Sequence, residues 1–366
     1  MGIKKLNDLI KKYAPNAFFE IPMGYFYGKR IAIDAYLWLY ANYCVIKKDV
    51  IKSTDIANEE PDQDEITRKM LTRAVDFTIK FLKQGITPVF IIDGEEKPEL
   101  KGNTLEERNE KKTTAANNID NLRLRVEQGE LDLLPDLQKS LNNYNKVPKE
   151  LFENFTALLH ELGVPYIQAY GEADKLAAVL CIEGQVAAVY SKDTDNLVYG
   201  CPLVISEINK DKFKCVRLDC VLTGLKLSHV QFVDLCIMCG CDYNTNIPRV
   251  ASLTAFKLIT DHKSIDRLPA KYDPTCLNHL ACRKIFSYAK SATLADNINL
   301  DLNLEAIITA RDFLTLFKLT DLIHKITPVF ENLTIAKDGY VVDLDLKVPP
   351  KYSWQVKTLT LNITSL

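Results

Sequence analysis

Short apolar runs alternate with helical patterns along the first two thirds of the chain. Four of these runs are bounded by polar residues and indicate buried strands, at 29–33, 87–92, 164–168 and 186–190. Helical patterns follow the first and third runs, at 35–43 and 173–182. Strands that alternate with helices in this way form parallel βαβ units. The pattern therefore predicts an α/β fold with a mainly parallel central sheet flanked by helices.

A polar segment interrupts this alternation between residues 95 and 150. It is charged and rich in helix-forming residues, most densely in LEERNEKK and NLRLRVEQGELDLL. About fifty residues of this kind between two strands predict a helical insertion over one face of the sheet. Further helical patterns occur at 229–239, 253–260 and 304–327, while 329–366 is rich in β-forming residues.

Composition narrows the class of protein. Of 366 residues, 47% are hydrophobic and 26% are charged, which is typical of a globular protein with a sizeable core. Lys and Arg number 46 against 48 Asp and Glu, so a purely electrostatic nucleic-acid binder is excluded. No uncharged apolar run is long enough for a membrane span, and MGIKKLNDLIKK lacks the apolar core of a signal peptide. We expect an intracellular protein with free thiols and no membrane partner.

Seven acidic residues fall at the ends of predicted strands and helices, where the carboxyl edge of a parallel sheet collects functional groups. They are Asp34, Asp93, Glu172, Asp174, Asp193, Asp195 and Asp242. Each acid alone is equally well explained as a turn or cap residue. Together they would repel one another unless cations neutralised them, and oxygen ligands suit Mg²⁺ or Mn²⁺. A pair of such ions can activate water for phosphodiester hydrolysis.

The segments around these acids resemble the flap endonuclease / XP-G family of structure-specific nucleases. The matching stretches are MGIKKLNDLIKKYAP, GKRIAIDAYLWLY, PVFIIDGEEKPELK, LGVPYIQAYGEADKLAA, SKDTDNLVYG and QFVDLCIMCGCDY, in family order over about residues 1–290. The resemblance implies a PIN-like or resolvase-like nuclease fold with a helical arch and a helix-hairpin-helix-like segment. It implies a Mg²⁺-dependent endonuclease with 5′-exonuclease activity on flapped or branched DNA, in replication, repair or recombination.

Site residues follow from the same resemblance. It implies that the seven acids bind two Mg²⁺ ions, with Mn²⁺ as a substitute, although Asp174 stands where the family usually has Glu. Lys101 and Arg108 match the basic residues at the foot of the arch that contact the scissile phosphate. Their spacing of seven independently places them on one helix face. Lys111 and Lys112 continue that basic edge, whose alternative explanation is a solvated helix face.

The resemblance also suggests contacts to DNA away from the cut. Tyr40 matches a residue that stacks on a nucleobase, although a core aromatic explains it equally well. Gly2 matches the family N-terminus, which lies near the active site. The family's glycine hairpin is altered here, because Arg249 and Ala251 replace its glycines. Phosphate binding would then rest on Arg249 and the backbone near Ser252, and a monovalent cation site is not supported.

The implied organisation has four parts. They are an N-terminal nuclease region (1–115), a helical arch or cap (95–150), an internal nuclease region (151–265) with a DNA-binding segment (243–265), and a C-terminal extension of unknown role (266–366). The chain ends in TLTLNITSL, without a motif for docking on a sliding clamp. A monomer is expected, in the nucleus or at a viral replication site, since Lys, Asn and Ile usage would suit a viral or divergent member.

Three alternatives stay open from the residues. One is a protein that binds DNA junctions on a nuclease fold without cutting them. Another is a 5′-exoribonuclease on the same sheet architecture. A third, local alternative is a structural zinc on Cys236, Cys239 and Cys241, whose spacing is C-x-x-C-x-C.

Overall fold

The computed structural model describes residues 2–96, 98–287 and 299–337, in which seven strands form one sheet. The strands are β1 (Phe18–Pro22), β2 (Arg30–Asp34), β3 (Thr87–Ile92), β4 (Tyr166–Gln168), β5 (Ala188–Tyr190), β6 (Leu203–Asn209) and β7 (Lys212–Arg217). Their spatial order is β1-β7-β6-β5-β2-β3-β4. The sheet thus combines strands that precede the inserted segment (95–150) with strands that follow it.

Five neighbouring strands, from β6 to β4 in that order, are parallel. β7 returns antiparallel to β6 as a hairpin, and β1 pairs antiparallel with β7 at the edge. The mainly parallel α/β sheet predicted from the sequence is therefore confirmed. The pattern of apolar runs did not predict β1, β6 and β7. Their apolar runs are interrupted by lysines and glutamates that face solvent.

Helices cover both faces of the sheet. They are α1 (Leu6–Tyr13), α2 (Ala35–Ser53), α3 (Gln63–Leu82), α4 (Gly102–Glu127), α5 (Leu134–Asn143), α6 (Lys149–Glu161), α7 (Ala173–Ile182), α8 (Asp195–Val198), α9 (Leu218–Leu225), α10 (His229–Cys239), α11 (Ser252–His262), α12 (His279–Phe286), α13 (Ile307–Leu316) and α14 (Asp321–Lys337). Successive strand residues point to opposite faces. In β3, Val89 and Ile91 enter the core under α7 and α10, while Phe90 and Ile92 enter the core under α2, α3 and α6.

The inserted segment is helical, as predicted, and carries its own small core. α4 and α5 pack together and against the second half of α2, burying Ile119 and Leu137 on Ile51. Lys47 of α2 is buried there, and its Nζ donates to the carbonyls of Leu141 (3.0 Å) and Tyr144 at the end of α5. A cation at the carboxyl end of a helix interacts favourably with its unpaired carbonyls. The insertion is therefore fastened to α2 at one end.

Residues 299–337 return to the back of the sheet. The single helix predicted over 304–327 is wrong, because the chain breaks after α13 at Lys318, whose φ of 56° is left-handed. The β-rich interpretation of 329–366 is wrong for the described part, since residues up to Lys337 belong to α14; the remainder lies outside the described residues. α13 packs against α6 and α14 against α3, so this part of the C-terminal extension completes one core.

Among the described helices, none is by itself long and apolar enough to cross a membrane. α9 and α10 pass that test of length and composition only as a pair, with a bend of 83° between them. Within the pair, Val221 and Phe232 are fully buried in the core.

Candidate active site

Asp34 and Asp93 lie at the carboxyl ends of two neighbouring parallel strands, β2 and β3. Asp34 ends β2 and also begins α2, where its Oδ1 accepts a hydrogen bond from the amide of Leu37 at 2.8 Å. Asp93 follows β3, and its Oδ1 accepts from the amide of Ala173 at 2.8 Å. Because Ala173 is the first residue of α7, this bond places the start of α7, with Glu172 beside it, at the same edge.

Asp193 and Asp195 lie just past β5, the neighbour of β2. Both side chains are buried, at 9% and 7% exposure, and the amide of Asp195 donates to Oδ1 of Asp193 at 3.1 Å. Oδ1 of Asp195 is also buried, but it has no hydrogen-bond partner among the described residues. A buried carboxylate oxygen left without a donor costs free energy, which identifies a point where the described chain leaves charge unsatisfied.

The seven acids form one electrostatic group, called the carboxylate cluster below. Burial, with smaller contributions from the charges of Asp93 and Asp193, raises the pKa of Asp34 to about 7. Burial, followed by repulsion from Asp34, Asp193 and Asp195, also holds the pKa of Asp174 well above its usual range. The pKa of Asp195 is held well above its usual range by burial first, and then by the charges of Asp193 and Asp242. The fold thus concentrates negative charge that a cation would neutralise.

Two cations of the insertion lie against this cluster. Nζ of Lys101 forms an ion pair with Glu172 and lies 3.9 Å from Oδ2 of Asp242. Nη2 of Arg108 lies 2.8 Å from both oxygens of Asp242, and the hydroxyl of Thr104 donates to the Asp242 carbonyl. Since Lys101 and Arg108 reach the same carboxylate, they share one face as their spacing predicted. The start of α4 is therefore held over the site.

With these side chains as placed, no three Asp, Glu, His or Cys groups in residues 2–96, 98–287 and 299–337 are arranged to hold a metal ion. Two carboxylates are engaged by Lys101 and Arg108 instead. The donors still fit a hard divalent ion. They are oxygen-only, mutually repelling and, at Asp195, partly unsatisfied. Cys236, Cys239 and Cys241 are free and buried in the core. With their side chains as placed, they form no zinc site with the other described residues.

Two tyrosines that the sequence analysis did not select hold Glu172. The hydroxyl of Tyr243 donates to Oε2 of Glu172, and the hydroxyl of Tyr199 lies 3.0 Å from that of Tyr243 and 3.3 Å from the same oxygen. Burial first, and then the charge of Glu172, hold the pKa of Tyr199 well above its usual range, so its hydroxyl stays protonated as a donor. The position of Tyr243, directly after Asp242, was the available sequence signal.

Asn196 is a third residue that the sequence analysis missed. It follows Asp195, is fully buried, and donates from Nδ2 to Oδ1 of Asp174 at 2.5 Å. The departure at Asp174 was visible in the sequence, but its contact with Asn196 was not, because the two residues lie 22 positions apart.

The N-terminus enters the site beside Asp193. The amide of Ile3 donates to the hydroxyl of Thr194 at 2.9 Å, and the amide of Lys4 donates to the carbonyl of Gly240. Gly2 has a φ of 86°, and a Cβ there would lie 2.2 Å from Oδ1 of Asp193. Only glycine fits this backbone without displacing a member of the carboxylate cluster.

The predicted DNA-contacting residues differ in their exposure to solvent. Tyr40 is half-buried on α2. Tyr36, one turn earlier, is 40% exposed, and its pKa is raised by burial first and then by the charge of Asp93, which identifies a second aromatic near the cluster. Lys111 and Lys112 are both exposed on α4.

The altered hairpin keeps a glycine-like backbone. Arg249 is exposed and has a φ of 64°, in the left-handed region that glycine adopts most easily. Ser252 is the first residue of α11, behind Ala251 in extended conformation. The side chain of Asn246 donates to the carbonyl of Cys239 at 2.8 Å, which ties the hairpin to the end of α10. The turn before α11 thus forms although both glycines are replaced.

Comparison with known proteins matches this site to one family. Residues 1–115 match the XPG N-terminal domain and residues 163–242 match the XPG I-region, which together carry the whole carboxylate cluster. The chain is 33% identical to flap endonuclease 1 of Debaryomyces hansenii over 273 residues, which are 73% of this chain and 69% of that relative. The chain belongs to the flap endonuclease / XPG family.

A second relative agrees with this assignment. The chain is 34% identical to flap endonuclease 1 of Cryptosporidium muris over 306 residues, covering 78% of this chain but only 62% of that relative. The chain therefore spans about two thirds of the length of such relatives.

Two solved structures share the fold. Flap endonuclease-1 from Methanococcus jannaschii superposes with a TM-score of 0.61 at 23% identity, covering 88% of this chain and 99% of that one. The catalytic core of Rad2 in complex with a DNA substrate has a TM-score of 0.59 at 18% identity, covering 90% of this chain and all of that one. The PIN-like α/β nuclease fold is thus confirmed.

Proposed function

We propose that this chain is a Mg²⁺-dependent, structure-specific DNA endonuclease with 5′-exonuclease activity on flapped or branched DNA. The observation that carries the proposal is the carboxylate cluster, in which burial and mutual repulsion raise the pKa values of Asp34, Asp174 and Asp195. The family assignment supports nuclease chemistry, and family nucleases are metal-dependent.

All seven members of the cluster would hold two divalent ions, Mg²⁺ with Mn²⁺ as a substitute. When bound, such ions activate water and stabilise the leaving oxygen of a phosphodiester. For the ions to enter, Lys101 and Arg108 must leave Glu172 and Asp242. Both would then be free to stabilise the charge that develops on the scissile phosphate. Without substrate, the side chains of Lys101 and Arg108 would thus neutralise part of the cluster. With substrate bound, they would contact its phosphate instead.

The rest of this edge would position the nucleic acid. Tyr36 or Tyr40 would stack on a base beside the cut, a contact worth about 1–3 kcal/mol per base. Lys111 and Lys112 would contact the unpaired strand, because they extend the cationic edge of α4 beyond Arg108. Gly2 would keep the N-terminus beside Asp193.

Duplex binding would fall to the hairpin before α11. Arg249 is exposed there, and the start of α11 at Ser252 has no side-chain cap among the described residues, so its amides can receive a phosphate. The proposed organisation retains the N-terminal, cap, internal and C-terminal regions given above. Action as a monomer, in the nucleus or at a viral replication site, is part of the same proposal.

The test is a cleavage assay on a 5′-flap duplex, with single-stranded RNA and a four-way junction as parallel substrates. Asp93→Asn and Asp193→Asn should abolish cleavage and leave flap binding within about threefold of wild type, because Asn keeps the shape of the acid but not its charge. Asp62→Asn, at the exposed start of α3, is the matched control.

Each contrary result would lead to a different conclusion about the function or the site. Binding of the junction without Mg²⁺-dependent cleavage of any substrate would favour a non-cleaving junction protein. Cleavage confined to RNA would favour a 5′-exoribonuclease. Full activity of Asp93→Asn and Asp193→Asn, or activity in EDTA, would refute the proposed site.

A further inference from the structure

Asp174 is the member of the carboxylate cluster with the shortest reach relative to the family pattern. Its side chain is one methylene shorter than the usual glutamate, so its carboxylate needs another group to set its orientation. Asn196, which lies 22 positions later in α8, supplies that contact. Its Nδ2 lies 2.5 Å from Oδ1 of Asp174. The contact joins the start of α7 to the start of α8.

The amide of Asn196 is only half used. Its side chain is fully buried, yet its Oδ1 has no hydrogen-bond partner among the described residues. Because Nδ2 faces a carboxylate oxygen, the amide oxygen is the end that is left over. A buried amide oxygen without a donor is costly and indicates a missing partner. Oδ1 of the adjacent Asp195 is unpartnered in the same way.

We propose that Asn196 is a positioning residue of the metal site, which orients Asp174 through Nδ2 and accepts a hydrogen bond at Oδ1 from a water in the hydration shell of the bound ion. The inference rests on the proposed function, because it needs the carboxylate cluster to bind divalent ions. Mg²⁺ retains several of its waters when bound by proteins, so acceptors for those waters belong to such a site. Groups that orient ligands typically contribute 10–100-fold to metal affinity.

The experiment is a Mn²⁺ titration of the full chain without DNA, in which free Mn²⁺ is followed by electron paramagnetic resonance. Asn196→Leu removes both polar ends at similar volume, and Asn196→Ser keeps the position polar but does not reach Asp174. Asn142→Leu is the matched control, since Oδ1 of Asn142 in α5 is also buried and has no hydrogen-bond partner in the part of the chain that the structure describes. Thermal unfolding in EDTA checks that each variant is folded.

We expect both Asn196 variants to bind Mn²⁺ about 10–100-fold more weakly than wild type, and Asn142→Leu to bind it within about twofold of wild type. In an Asp174→Glu background the longer acid depends less on the amide, so the loss caused by Asn196→Leu should shrink to about threefold or less.

Wild-type affinity in whichever Asn196 variant folds would overturn the inference. Equal losses from Asn196→Leu in the wild-type chain and in the Asp174→Glu background would overturn it as well. Failure of the wild-type chain to bind Mn²⁺ is a different result, because it would overturn the metal site of the proposed function itself.

Discussion

Asp34 is the residue at which the cost of assembling the carboxylate cluster can be measured most directly. Burial, with added repulsion from Asp93 and Asp193, raises its pKa from 3.8 to about 7. In the unfolded chain Asp34 releases its proton near pH 4, whereas in the folded chain it keeps the proton up to about pH 7. Between those values the folded state binds more protons than the unfolded state, so stability falls as pH rises.

The replacement Asp34→Asn removes this cost and keeps the helix start, because an amide oxygen can accept the same hydrogen bond from Leu37. One pKa unit corresponds to about 1.4 kcal/mol, so the shift to about 7 corresponds to roughly 4 kcal/mol at pH 8. We expect Asp34→Asn to be more stable than wild type in EDTA at pH 8. That advantage should shrink by about 3 kcal/mol on going down to pH 5.

Urea unfolding in EDTA at both pH values measures these free energies. Asp62→Asn is the control, because Asp62 also begins a helix and accepts from its backbone, but is exposed. It should change stability by no more than about 0.5 kcal/mol at either pH. Mg²⁺ should stabilise wild type more at pH 8 than at pH 5, and should stabilise Asp34→Asn less than wild type at pH 8.

One result would refute this reasoning. If Asp34→Asn is no more stable than wild type in EDTA at pH 8, Asp34 carries no buried charge that a proton or a metal ion must neutralise. A gain of the same size in Asp62→Asn would equally show that the effect belongs to helix starts in general.

Three further changes test other parts of the site. Gly2→Ala should lower cleavage about 100-fold, since its Cβ would lie 2.2 Å from Oδ1 of Asp193; Gly28→Ala, also left-handed but in open space, should keep activity, and equal losses would contradict this explanation. Tyr243→Phe should weaken Mn²⁺ binding about 10-fold or more by freeing a cluster carboxylate, and unchanged affinity would show that the hydroxyl is dispensable. Arg249→Gly should raise the free energy of unfolding by about 1 kcal/mol, because its φ is 64°, and weaken duplex binding; lower stability would contradict the strain argument.

Local sequence patterns were sufficient to predict those strands and helices in which apolar and polar residues repeat at the period of the element. The strand β3 and the helices α7 and α10 have the predicted bounds, because their apolar residues are dense and polar residues or glycine mark their limits. The break at Lys318 was not predictable in this way. The apolar pattern continues through it, and the turn forms so that α13 and α14 can pack on two different helices.

The sequence by itself predicted which acids would meet, because each one lies at the end of a predicted strand or at a terminus of a predicted helix, and parallel strands end at one edge. It also determined that Lys101 and Arg108 share a face, since the helical period fixes their separation. These conclusions need only local geometry and the handedness of βαβ connections.

Only the tertiary structure decided how the carboxylates are held. The contacts of Tyr243 and Tyr199 with Glu172, and of Asn196 with Asp174, join residues that are 71, 27 and 22 positions apart. The raised pKa of Asp34 likewise comes mainly from burial, with contributions from Asp93 and Asp193, which are distant in the chain. Hydrogen bonds and burial depend on distances between elements, and a sequence pattern specifies the elements without specifying those distances.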